Sequence, residues 1–244
     1  MTESRPRNPG AIAEPATVRA MFDRIVPRYD LMNHLMTFGM DLRWRKLIAT
    51  RAAAMGDSVL DVATGTGDVA FDIRAAGART VIGLDFSPEM IGAARTKGAA
   101  RGSDIEFLIG DAMALPFPDN SFDACTVSFG LRNMPDYAAA IAEMTRVLRP
   151  GGRFVCLEMT PYRKPVLGRL FSLYFEKIVP IVGGVLSGDI GAYRYLPQSV
   201  ANFPASTQLV MLMRAAGLTN THVTMLGFGT VAIHTGTKEL GSGS

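Results

Sequence analysis

The sequence is poor in the residues that build metal and disulfide sites, with two cysteines and three histidines in 244 residues. Cys125 and Cys156 each lie inside an apolar, strand-like run and share no ligand spacing. Buried, reduced thiols of a cytosolic protein are the plain reading. His34, His222 and His234 are dispersed, so no His/Cys/carboxylate set points to a metal. Charge is also sparse, at 19% of residues, and the net charge of +3 comes without a dense Lys/Arg block or interleaved aromatics. That argues against a nucleic-acid partner and fits a mild attraction to anionic lipid. The apolar stretch 166–186 is broken by Arg169, Glu176, Lys177 and Pro180, too often for a bilayer span. Residues 1–10 lack the apolar centre of a signal peptide.

What is present is an alternation of strand and helix. Residues 1–16 read as a flexible arm and 241–244 as a linker or cloning scar. Between them, 17–240 read as one domain. Thr17 is placed to cap a helix from Val18, which Pro27 interrupts, and a further helix spans about 42–54. Positions 17–56 thus form a helical cap with no strand signal. Strands are expected at 58–61, 80–85, 105–110, 122–129 and 153–159, with helices at about 68–76, from Pro88, and at 137–148. A helix from beyond Phe203-Pro204 to Ala216 and two closing strands, 219–225 and 230–235, follow. This rhythm implies an α/β, Rossmann-like, doubly wound and mostly parallel sheet of seven strands with an antiparallel edge addition. Ligands then sit beyond the C-terminal strand ends. The apolar helical insertion at 161–203, with Leu167, Leu170, Phe171, Tyr174, Phe175 and Ile178 at helical spacing, suits a core, a lipophilic pocket wall or a membrane-facing surface.

The chain is organised around Val59-Leu60-Asp61-Val62-Ala63-Thr64-Gly65-Thr66-Gly67-Asp68. An apolar strand ends in an acid, turns through two glycines, and enters a helix whose free N–H groups suit an anion. Gly65-x-Gly67-x-x-Ala70 also satisfies a dinucleotide fingerprint. Asp85, followed by Phe86 at the end of the second strand, can accept from both ribose hydroxyls of either nucleoside. The next strand end separates the two cofactors. At Asp111-Ala112 a carboxylate can take an adenine amino group while a backbone N–H faces a ring nitrogen. With Asp61, Gly65, Gly67 and Asp85, this looks like the S-adenosylmethionine (SAM) set rather than the NAD set.

Longer blocks carry a family resemblance. Tyr29-Asp30-Leu31-Met32-Asn33 with Trp44, and Arg146-Val147-Leu148-Arg149-Pro150-Gly151-Gly152 running to Leu157-Glu158, resemble the two signatures of the ubiquinone/menaquinone biosynthesis C-methyltransferases. Ser128-Phe129-Gly130-Leu131-Arg132-Asn133 and Tyr193-Arg194-Tyr195-Leu196-Pro197-Gln198-Ser199 are similar to further blocks of that family. Departures are Asp41 where a His is common, Thr37 and Thr160 for serines, Arg149 for a lysine, and Ala63 where many SAM enzymes have a glycine.

The resemblance implies C-methylation of a polyprenyl naphthoquinol or benzoquinol, with S-adenosylhomocysteine as coproduct and no metal. It carries the family's cofactor positions to Thr66, Asp85, Asp111, Ala112 and Ser128. A cytoplasmic protein visiting the inner face of the membrane is expected, and a homodimer is compatible. The acceptor is better as phenolate, which at pH 7 costs about 4 kcal/mol for a phenol of pKa ~10. A base or oxyanion donor is therefore needed. Arg132, Asn133 and Tyr195 are the catalytic candidates, and Tyr29, Asp30, Asn33, Asp189 and Tyr193 the pocket candidates. A small-molecule O- or N-methyltransferase, or a non-catalytic SAM-fold lipid-binding subunit, is the alternative.

Overall fold

A computed structural model describes residues 14–161, 173–181 and 190–240. Three helices precede the sheet: α1 (Pro15–Ile25), α2 (Tyr29–Met36) and α3 (Met40–Ala53), with a 3₁₀ turn at Val26–Arg28 between the first two. The first helix begins two residues before Thr17, so Thr17 is not its cap. Pro15 opens it, because a ring-locked φ and a missing N–H cost nothing in a first turn. Pro27 falls in the 3₁₀ turn, which bends the chain rather than ending the helical region.

The sheet follows as β1 (Ser58–Val62), β2 (Thr80–Asp85), β3 (Glu106–Ile109), β4 (Phe122–Ser128), β5 (Leu148–Met159), β6 (Leu218–Leu226) and β7 (Val231–Lys238). Its helices are α4 (Asp68–Ala75), α5 (Pro88–Ala100), α6 (Tyr137–Val147), α7 (Ile190–Ala201) and α8 (Ser206–Ala215). Strand order is β3-β2-β1-β4-β5-β7-β6, with β1 to β5 parallel and β7 antiparallel to both neighbours. Val59, Leu60 and Val62 are all buried, as in a strand covered on both faces. Ser87 and Asp136 accept from the third backbone N–H of α5 and α6, which is why those helices start where they do.

The expected closing strand pair is present as an antiparallel edge addition, with β7 between β5 and β6. The fifth strand also starts five residues early: Leu148 pairs with Phe122, and the chain shifts register through Pro150-Gly151-Gly152, with Gly151 at φ +80°. A proline has no ladder donor, so the sequence reads there as a turn. Both cysteines are buried and free, with burial pushing each thiol well above its usual range. Of the insertion, the described parts are a π-helical turn at Tyr174–Ile178 and α7. Leu167, Leu170 and Phe171 lie outside the described residues, as do most of the expected arm, the tail 241–244 and Asp189.

Candidate active site

The tips of β1, β2 and β4 converge where the order of strands reverses. Asp61 is 1% exposed, and both its oxygens are taken: Thr64 Oγ1 donates at 2.7 Å and Thr126 Oγ1 at 2.5 Å. It clamps the strand end to the turn. Burial outweighs the two hydroxyls and pushes its pKa up to about 6. Two residues on, Ala63 sits at φ +53°, where its Cβ is disfavoured. A glycine would be at ease there, which accounts for the glycine of related turns. Gly65 follows at φ +57°, and its N–H donates to Asp85 Oδ2 at 2.9 Å. Asp85 Oδ1 accepts from Ser87 N at 3.0 Å. Burial raises the Asp85 pKa, partly offset by these backbone donors. The β2 acid thus pins the glycine turn, and each oxygen keeps lone-pair capacity for a further donor.

Two cavities open beside this turn. One, of about 470 Å³, is lined by Asp85, Phe86, Asp111, Ala112 and Asn133, among others. The second, of about 450 Å³, is lined by Asp61, Thr66, Arg132, Tyr193 and Tyr195 together with residues of α1 to α3 such as Asp30, Asn33, Met36 and Trp44. Tyr29, Gly65, Ser128 and Phe129 line both, so the cavities share a wall. Gly67 lines neither. Its φ is +86°, and an added Cβ would meet Phe107 at 2.8 Å, so it serves helix packing. Both volumes suit small-molecule ligands.

At the β4 tip polar groups are left unmatched. Ser128 Oγ, Asn133 Oδ1 and Arg132 Nε are buried with no partner. Buried polar atoms normally find one, so this cluster fits a ligand with complementary polar atoms. Arg132 Nη1 donates to Glu158 Oε1 at 2.7 Å and to the Phe129 carbonyl, and its backbone N reaches Glu158 Oε2 at 3.2 Å. Glu158 is fully buried. Burial raises the pKa of Tyr29 and Tyr195, while the Arg132 charge pulls both the other way. The positive field therefore reaches phenols on the second cavity's wall.

Sequence reasoning missed a chain of charges that stitches the N-terminal helices to the core. Lys97 on α5 donates to Asp30, to Thr66 Oγ1 at 2.9 Å and to Asp68 Oδ1 at 3.0 Å. Asp68 also holds Arg45, which lies 3.5 Å from Asp41. Asp41 accepts from Thr37 Oγ1 at 2.7 Å and pairs with His34 Nδ1 at 2.6 Å. Asp30 is thus a tether between layers as well as a cavity residue. The partners stand far apart in sequence, so no local pattern announces them. Glu158 was legible only as part of a signature block. Among the described residues no group of His, Cys, Asp and Glu is arranged to hold a metal.

A mostly parallel sheet in this order, with an antiparallel seventh strand and paired cavities at the strand tips, is the Rossmann-like architecture found in SAM-dependent methyltransferases. The chain belongs to the ubiE/COQ5 methyltransferase family, whose profile matches residues 11–238. It is 49% identical to a demethylmenaquinone methyltransferase of Thermus thermophilus, over 89% of this chain and all of that protein. It is 42% identical to a ubiquinone/menaquinone biosynthesis C-methyltransferase of Geobacter sulfurreducens, over 91% of this chain and 89% of that one. Among solved structures, a [4+2]-cyclase, SpnF, shares the fold with a TM-score of 0.72 at 22% identity, covering 94% of this chain and 98% of that one. A cyclase on this fold is a reminder that the reaction is set by the site.

Proposed function

We propose that this enzyme methylates a ring carbon of a polyprenyl quinol, foremost demethylmenaquinol, using SAM. The observation that carries the reading is the shared wall: one cavity edged by Asp85 and Asp111, one largely apolar, meeting at the unpartnered Ser128 hydroxyl. Asp111 and the Ala112 N–H are assigned to adenine, Asp85 to the ribose hydroxyls, and Gly65, Thr66 and Ser128 to the methionine end. Phe86 walls the adenosine side. Asp61 acts through Thr64, holding the turn in shape. SAM, when bound, supplies a methyl group on a sulfonium centre.

The acceptor ring occupies the second cavity, against Tyr29, Asn33, Tyr193 and Tyr195. Two aligned neighbours in adjoining cavities gain much of the rate from positioning alone. Arg132 favours the phenolate form of the quinol, or holds a water that takes its proton. Glu158 fixes the guanidinium for that role. Asn133 lines the SAM-side cavity, so it orients a cofactor group more directly than a quinol hydroxyl. The naphthoquinol follows from the Thermus relative's name and the benzoquinol is kept by the Geobacter one. The cytoplasmic face of the membrane is the proposed workplace, because the prenyl tail resides in the bilayer. No helix among the described residues is long and apolar enough to cross it.

The test is mass spectrometry of demethylated quinols incubated with enzyme and methyl-labelled SAM. A labelled methyl on the ring carbon is expected. SAM binding with no labelled quinol, while phenols or amines are labelled, refutes the substrate and favours a small-molecule methyltransferase.

A further inference from the structure

The mouth of the second cavity carries an unusual surface. Between Arg28 and Lys46 the exposed residues are of two kinds. Leu31, Leu35, Phe38 and Leu42 are apolar, and Arg28, Arg43 and Lys46 are cationic. No exposed acid lies among them, since Asp30 is held by Lys97 and Asp41 is buried. Leu31 and Leu35 are spaced i, i+4, so they form a short apolar stripe on α2 facing solvent, and Phe38 follows just beyond the helix end. Soluble helices normally turn such a stripe inward.

Two other elements extend it. Phe38 is 75% exposed, and its ring stacks on Tyr174 at 5.6 Å; Tyr174 donates to the Met36 carbonyl at 3.1 Å. The same helical turn exposes Ile178 and Ile181 beside Lys177. Phe228 is 82% exposed, on the loop between β6 and β7 that packs on Trp44. Phe38 and Phe228 both line the second cavity, and both sit at positive φ, +51° and +58°. A bulky residue rarely adopts that backbone, and such strain persists where the surroundings impose it. Here it turns two aromatic rings outward at the rim of one opening.

We infer that this rim is a membrane-docking surface: Leu31, Leu35, Phe38 and Phe228 enter the acyl boundary of a bilayer, and Arg28, Arg43, Lys46 and Lys177 meet anionic headgroups. Apolar side chains flanked by cations, with no exposed acid between Arg28 and Lys46, match the interfacial layer of an anionic leaflet. Docking there places the cavity mouth against the lipid, so that a prenylated ring enters without crossing water. The inference rests on the polyprenyl-quinol reading for its purpose, but its test does not.

The test is flotation of the full chain with vesicles of phosphatidylcholine alone or mixed with phosphatidylglycerol, without quinol. Binding to the anionic vesicles is expected, falling as salt rises. The L31Q/L35Q double variant should lose about tenfold in partitioning, and R43E/K46E a similar factor that disappears in high salt. None of these four residues lines a cavity, so turnover of a short-tailed, water-soluble quinol should remain at the wild-type level in both variants. Absence of wild-type binding to anionic vesicles overturns the inference. So does wild-type binding by L31Q/L35Q, or a dimer that this variant dissolves in a chain that ignores lipid. If vesicle binding behaves as expected but no quinol is methylated, the substrate reading fails and the docking surface stands.

Discussion

Glu158→Gln isolates the part of the site that chemistry and stability share. Glu158 is fully buried and Arg132 nearly so, with 8% of its side chain exposed, and they are joined at 2.7 Å. Removing one charge of such a pair strands the other in low dielectric, which costs about 3–5 kcal/mol. For a chain of this size that is a fall in Tm of about 6–20 °C. Urea unfolding followed by circular dichroism measures it. The double variant R132M/E158L should recover most of the loss, because two apolar groups need no partner. Its turnover should stay lost while SAM affinity, read by calorimetry, stays near wild type. A loss below about 1 kcal/mol for Glu158→Gln would mean that water reaches the pair and that Arg132 is not held in a dry site. Recovery of turnover in the double variant would remove Arg132 from the reaction.

Asp61 should make stability fall as pH rises. Its folded pKa is raised from 3.8 to about 6, so the folded state binds the extra proton in that window. Its burial cost, ~3 kcal/mol, is absent below about pH 4 and fully present above about pH 6. In Asp61→Asn that component of the pH dependence should vanish from urea titrations, and an unchanged profile would refute the assignment. Gly130→Ala should destabilise by about 1–3 kcal/mol, because the new Cβ would collide with Ala63 Cβ. Adding Ala63→Gly should restore the thermal midpoint; no recovery would place the fault elsewhere. Asp85→Ala should abolish calorimetric SAM binding, since the ribose hydroxyls lose their acceptor and the Gly65 N–H its anchor; wild-type affinity would contradict that role.

Much of the architecture was legible because it is local. β2 falls at 80–85 as expected, since a buried strand between turn residues needs no distant partner to be recognised. Thr17 misled because Ser, Thr and Asn cap helices only when the chain enters there, and Pro15 already opened this one. At Pro150-Gly151-Gly152 the pattern of a turn was read correctly in kind, yet the strand runs through it with a shifted register. That outcome is decided by the pairing of Leu148 with Phe122, 26 residues away.

By itself the sequence determined the alternation of strands and helices, the acids and glycines at the strand ends, and the family. These depend on short-range periodicity and on residues that a backbone turn requires. Only the tertiary structure decided which groups meet. It joined Arg132 to Glu158 and Lys97 to Asp30, and it left Ser128 unpartnered between two cavities. It also turned Phe38 and Phe228 outward at one rim. Side-chain pairing across separate elements is a property of packing in three dimensions, and no spacing along the chain encodes it.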